Sequence, residues 1–156
     1  MKILVWNVRG LGNDRTFQVL KHHVRDYNPN FVFLSETLLS HNRMELIRVH
    51  LGFSGKLVVD NVGRSGGISL FWSDDVVVNL ISFSKWHVDV RVVGENNLSW
   101  RFTGIYGNPN ASQRFHTWGL LQSLRGLSGL PWLIGMISMK SFVWKRRKVE
   151  LIVYIL

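Results

Sequence analysis

Two short runs near the start of the chain are apolar without alternation: Ile3-Leu4-Val5-Trp6-Asn7-Val8 and Phe31-Val32-Phe33-Leu34-Ser35-Glu36. A strand with one wet face alternates polar and apolar residues, so a strand that does not alternate needs cover on both faces. Between the runs, Arg9-Gly10-Leu11-Gly12-Asn13-Asp14 reads as a loop. The spacing of Phe17, Leu20 and Val24 then predicts a helix from about Arg15 to Asp26, ended by Asn28-Pro29-Asn30. A strand, a helix and a second strand of this size imply a right-handed parallel crossover. Parallel neighbours end side by side. Asn7 and Glu36 therefore come together where open α/β sheets gather ligands.

A second helix is expected near Asn42 to Leu51. From Phe53 onward the pattern turns to strands, with candidates at Lys56 to Asn61, Gly67 to Trp72, Val76 to Phe83, Trp86 to Val93 and Leu98 to Tyr106. Their Gly, Asn and Asp turns suggest an antiparallel meander. In the last candidate Leu98, Trp100, Phe102, Gly104 and Tyr106 share one face. A helix from about Ser112, a plausible cap, to Leu127 would turn Phe115, Trp118, Leu121 and Leu124 inward. Gly129-Leu130-Pro131 breaks it, and Trp132-Leu133-Ile134-Gly135 starts one more buried strand.

After Gly135 the pattern changes. Met136 to Trp144 has no clean period, Lys145-Arg146-Arg147-Lys148 is a run of positive charge, and Val149 to Leu156 suits a strand or a short helix. The reading is thus a body over 1–135 and an unrelated basic, apolar tail over 136–156. The formal net charge of +9 divides accordingly, +5 on the body and +4 on the tail. Positive charge favours phosphate-rich partners and is silent on fold.

The chain has 156 residues, 46% of them apolar and 19% charged, enough for one domain with a real core. With no cysteine it has no disulfide scaffold, no Cys-ligated zinc and no thiol nucleophile, in keeping with a reducing compartment. No secretory signal is visible, since Asn7 and Arg9 interrupt the first apolar run. No stretch reaches the roughly 18 apolar residues of a membrane span. An intracellular protein, in nucleus or cytoplasm, is expected. His22, His23, His41, His50, His87 and His116 are scattered without metal or triad spacing, and His22-His23 falls on the polar face of the first helix.

Five segments, taken in order, carry a resemblance: Lys2 to Gly12, Asn28 to Thr37, Gly63-Arg64-Ser65-Gly66-Gly67-Ile68, Gly104-Ile105-Tyr106-Gly107, and Leu130 to Gly135. Together they resemble the endonuclease/exonuclease/phosphatase superfamily, and most of all the endonuclease domain of plant non-LTR (LINE-type) retrotransposons. The resemblance implies an α/β fold, a two-sheet sandwich flanked by helices, its second half incomplete here. It implies hydrolysis of phosphodiester or phosphomonoester bonds with a divalent ion, usually magnesium. The position matching Glu36 holds that metal, the one matching Asn7 assists at metal or phosphate, and the one matching Tyr106 points its hydroxyl at the phosphate. Magnesium suits a single carboxylate because it takes hard oxygen ligands and keeps several waters. On residue chemistry alone, Asn7 can instead cap a turn and Tyr106 can be a core aromatic. The Gly63 to Gly67 stretch lacks the Lys-Ser/Thr end of a P-loop and reads as a turn.

The departures bear on activity. In the family, the strand matching Trp132 to Ile134 runs into Gly-Asp-x-Asn, whereas here Gly135 is followed by Met136, Ile137 and Ser138. No Asp or Asn occurs after Asn110, and no His after His116, so the family's later Asp and its Asp-His pair lack counterparts. Losing members of a cooperating catalytic set costs orders of magnitude in rate. The reading is a magnesium-dependent DNA endonuclease that is catalytically impaired and C-terminally truncated. The alternatives are a non-catalytic binder of DNA or RNA, using Lys145, Arg146, Arg147 and Lys148, and a fragment without function. A shortened sandwich also leaves a sheet edge open unless the tail covers it.

Overall fold

The computed structural model of the protein describes residues 1–94, 97–107, 112, 115–137 and 150–154. The chain runs β1 (Lys2–Asn7), α1 (Asp14–Tyr27), β2 (Phe31–Ser35), α2 (His41–Leu51), β3 (Gly55–Val62), β4 (Ser65–Trp72), β5 (Val77–Ser84), β6 (His87–Val93), β7 (Ser99–Tyr106), α3 (Phe115–Arg125), β8 (Trp132–Ile137) and β9 (Glu150–Tyr154). The α1 boundaries have local causes. The Asn13 side chain accepts from the Arg15 N–H at 2.8 Å, and Asn28 ends the helix at φ 46°, its N–H bonded to the Val24 carbonyl at 2.9 Å.

Two sheets face each other, one in the order β3-β4-β2-β1-β9 and one in the order β5-β6-β7-β8. β1 and β2 are parallel, as the crossover required, with Val5 opposite Phe33 and Asn7 opposite Ser35. Their side chains divide by parity. Ile3, Val5, Phe31 and Phe33 pack between the sheets against Val88, Val90 and Phe102. Leu4, Trp6, Val32 and Leu34 pack against Leu20 of α1 and Met44 of α2. The strands do not alternate because both of their faces are dry. His23 is more than a polar-face residue, because its ring meets Trp6 edge-on at 5.6 Å.

The single meander expected from Lys56 onward is a hairpin and a separate meander. β4 is buried along nearly its whole length and pairs on one side with β3 and on the other with β2. That double burial places it inside the first sheet, so β5, largely exposed, starts the second sheet with β6 and β7. The Gly63-Arg64 turn closes the β3–β4 hairpin, as read. β8 runs parallel to β7, with Gly104 opposite Gly135, and β9 lies antiparallel on the other edge of β1. The segment left open between strand and helix is thus a strand over Glu150–Tyr154, and it covers a sheet edge.

β7 does not have one buried face. Trp100 and Phe102 enter the core between the sheets, but Arg101 and Thr103 on the opposite face are buried as well, while Leu98 precedes the strand and is 69% exposed. Arg101 binds Asp89 through Nε (2.9 Å to Oδ1) and through Nη2 (2.6 Å to Oδ2). Its Nη1 donates to the Leu124 carbonyl near the end of α3 at 2.6 Å. Thr103 Oγ1 donates to Asp89 Oδ1 at 2.7 Å and accepts from Trp132 Nε1 at 2.8 Å. α3 therefore docks on a charged pair, through Leu124 and a carbonyl. Phe115 and Trp118, expected inward, are 64% and 63% exposed.

Asp89→Ala leaves a buried guanidinium without its carboxylate. It is expected to cost about 3–5 kcal/mol, read as a lower urea midpoint at unchanged slope. Nearby, burial pushes the His87 imidazole below its ordinary 6.5, with the Asp89 charge pulling partly back. The unfolded chain then binds that proton more readily than the folded one, so stability present above about pH 6.5 is lost as pH falls below it. His87→Gln is expected to flatten this acid-side slope in Tm measured from about pH 7 to pH 5.

Candidate functional site

The C-terminal ends of β1 and β2 form a braced corner. After β2 the backbone takes left-handed conformations at Glu36 (φ 57°) and Leu38 (φ 55°), and after β1 at Arg9 (φ 48°). Such angles are uncommon outside glycine and persist only where the surroundings hold them. Here the hold is a set of main-chain hydrogen bonds. Gly10 N–H donates to the Glu36 carbonyl at 2.8 Å and Leu11 N–H to the Thr37 carbonyl at 2.9 Å. From the other side, Thr37 N–H donates to the Gly67 carbonyl at 3.2 Å and Leu38 N–H to that of Gly66 at 3.3 Å. Gly67 must be glycine for this approach. Its φ is +89°, and a Cβ there would stand 2.3 Å from Thr37 Oγ1.

The braced turn presents Glu36. Its Oε2 is buried and has no hydrogen-bond partner among the described residues. A buried carboxylate oxygen without a donor is costly unless a cation meets it. Asn7 is buried at the end of β1, and its Oδ1 accepts the Arg9 N–H at 3.1 Å. It therefore does cap the turn, and its amide nitrogen is left for other contacts. Tyr106 is buried at the end of β7. Burial, then the Glu36 charge, raise its phenol above its ordinary 10, and a backbone hydrogen bond at Gly66 opposes them. Tyr106 and Glu36 are thus electrostatic neighbours although they lie on different sheets. Magnesium fits this corner in part, because Glu36 supplies one orphaned hard oxygen. No group of three His, Cys, Asp or Glu residues gathers among the described residues.

The structure brings Asn7, Glu36 and Tyr106 to one end of the sandwich. Lys145, Arg146, Arg147 and Lys148 lie outside the described residues. Sequence reasoning missed the roles of Thr37, Gly67 and Trp86. The Trp86 ring stacks on Tyr106 at 5.8 Å and 18°, and its carbonyl accepts the Tyr106 N–H at 2.8 Å. The Gly66-Gly67 pair was a legible signal, since adjacent glycines at a strand start mark a close backbone approach. Trp86 carried no such mark. β8 pairs Met136 with Ile105 and Ile137 with Tyr106, so the strand end beside Tyr106 carries apolar residues.

The two-sheet sandwich flanked by helices, with a polar corner at the strand ends, is a fold this chain shares with solved endonuclease/exonuclease/phosphatase proteins. An endonuclease/exonuclease/phosphatase family protein from Bacteroides thetaiotaomicron matches with a TM-score of 0.65 at 12% identity, over 86% of this chain and 62% of that one. The human Nocturnin catalytic domain with bound sulfate matches with a TM-score of 0.59 at 12% identity, over 86% of this chain and 62% of its own. D. rerio TDP2 complexed with a single-strand DNA product matches with a TM-score of 0.61 at 17% identity, over 86% of this chain and 58% of its own. The chain spans about three fifths of the length of these proteins. No protein-family model and no curated protein sequence matches it. At these identities the likeness is one of fold. No helix among the described residues is long and apolar enough to cross a membrane.

The coupling across the sheets is measurable. Glu36→Gln removes the negative charge that opposes the Tyr106 phenolate, so the phenol is expected to ionise at lower pH than in the parent. Ultraviolet difference titration, with Tyr106→Phe to assign the signal, reads this directly. An unmoved titration would show that the two groups are not neighbours.

Proposed function

We propose that the chain carries the metal-holding half of a phosphodiesterase site of the retrotransposon endonuclease type, and that its turnover is impaired. The observation that carries the reading is the Glu36 Oε2 atom, buried without a partner on a turn braced from both sides. Glu36 would hold a magnesium ion, which when bound supplies positive charge to a phosphate oxygen. Asn7, at the adjacent strand end, orients the phosphate through its amide. Tyr106 keeps its proton well into the alkaline range and donates a hydrogen bond from its hydroxyl. DNA is the substrate class, in keeping with the sequence resemblance and the net charge of +9.

The impairment rests on β8. Register puts Met136 and Ile137 at the strand end next to Ile105 and Tyr106, where the resemblance implies an Asp and its neighbour. Neither a thioether nor a hydrocarbon takes a proton from water. Holding the ion and the phosphate without a group to activate the nucleophile gives binding with little rate.

Two measurements test the two halves. Titration with manganese, followed by water proton relaxation, is expected to show one site that Glu36→Ala abolishes. Supercoiled plasmid with magnesium is expected to stay intact. Nicking that disappears in Glu36→Ala would overturn the impairment, and unchanged ion binding in that variant would overturn the site.

A further inference from the structure

Beside Tyr106 the surface opens into two clefts that share a wall. The smaller, about 90 Å³, is lined by Asp60, Ser65, Gly66 and Gly67 together with Lys85 and Trp86. The larger, about 460 Å³, is lined by Ile105 and Leu120, by His87 and His116, and again by Lys85 and Trp86. Lys85 and Trp86 are the two residues common to both. Trp86 is fixed by its stack on Tyr106, and the Lys85 ammonium lies 5.0 Å from the centroid of the Trp86 ring. A cation thus stands on the divide between the clefts. The smaller cleft reaches the Gly66-Gly67 backbone that braces the Glu36 turn.

We propose that the Lys85-Trp86 turn is a subsite for single-stranded nucleic acid. Lys85 meets the phosphate that links two successive nucleotides, and the larger cleft takes the base of the outer one. The proposal deepens the phosphodiesterase reading and rests on it for the phosphate that lies toward Glu36. The chemistry of the walls suits this ligand. The larger cleft falls within the roughly 300–1,000 Å³ of small-ligand sites and joins an aromatic wall and apolar floor to polar groups at its edge. When the Lys85 ammonium turns from the Trp86 ring to the phosphate it uncovers the indole. Every base has a π-face, so that ring and an apolar floor accept any of the four without reading sequence. Phosphate contacts fix register, and the shared position of Lys85 fits the phosphate between two occupied clefts. A free phosphate would leave the larger cleft unused, and a lone base would leave Lys85 unused. A duplex keeps its bases stacked and cannot place one in the cleft.

The experiment is fluorescence anisotropy of a labelled oligothymidylate of about 12 nucleotides, long enough to span such a groove. It is run in EDTA on the full chain. Trp86→Ala is expected to weaken binding about 5- to 100-fold, as for one lost base stack, and Trp86→Phe to keep most of it. Lys85→Gln is expected to weaken binding and to lower the slope of log affinity against log salt by about 0.7. The conservative Phe variant and the surface Lys85→Gln change separate binding from folding. Equal affinity in the parent, Trp86→Ala and Lys85→Gln would overturn the proposal, as would no binding by the parent, or a duplex bound as tightly as the single strand. Because no free divalent ion is present, this result does not depend on whether Glu36 binds manganese. A failed manganese titration would leave it standing, and its own failure would leave that titration intact.

Discussion

Burial of β1 and β2 on both faces is the constraint on which the rest of the structure depends. One set of their side chains meets the second sheet and the other meets α1 and α2. Neither layer can be removed without exposing one face of the same two strands. Parallel pairing follows, because the crossover helix must lie on the face away from the second sheet. The corner where Asn7 and Glu36 meet is then a product of topology. Two buried strands that run the same way must end together, and their first polar residues fall at that end.

The second sheet solves a different problem. Among the described residues α3 covers its outer face, and the two sides meet through charge. The Asp89 carboxylate accepts from Arg101 and Thr103, and Arg101 also donates to a carbonyl near the helix end. Such a pair is poor evidence for added stability, since desolvation offsets much of the attraction. What it does is specify. The guanidinium, held on both carboxylate oxygens and on the Leu124 carbonyl, allows one placement of α3 on β7, and the Trp132 N–H extends the same network to β8. The placement of β8 beside Tyr106 thus rests on its parallel ladder with β7 and on this polar network, whereas that of Glu36 rests on the main-chain bonds of its turn.

This contrast explains what could be read from the residues. The corner was legible because apolar runs without alternation mean double burial, and double burial with a crossover fixes which ends coincide. The end of the first helix was legible at Asn28 and Pro29, where local chemistry decides, while its Asn13 cap was read only as loop. The sheet assignment of β3 to β7 was not, because hairpin signals tell which strands are consecutive and not where a run of hairpins changes sheet. β4 joined β2 and β5 did not join β4, for reasons of burial that depend on the whole assembly. The outer face of β7 was misread for a related reason. Arg101 and Thr103 alternate with Trp100 and Phe102 as solvent-facing residues would, and only their partner Asp89, on another strand, makes them interior. Phe115 and Trp118 fit an inward stripe on α3, yet the surface beneath the helix is ionic.

The two halves of the site are mechanically separable. Glu36 stands on a turn braced by Gly10 and Leu11 from one side and by Gly66 and Gly67 from the other, all within the first sheet and its loops. Met136, which follows Gly135 where the resemblance implies an Asp, stands on β8 in the second sheet. The sheets touch through apolar packing, including the close approach of Gly104 on β7 to the Phe33 ring and of Gly135 on β8 to Val5. A change at that strand end therefore leaves the Glu36 turn with its left-handed backbone and its orphaned oxygen. The hydrogen bonds that brace the Glu36 corner do not involve β8, so the proposed ion site and the proposed loss of turnover are compatible in one chain.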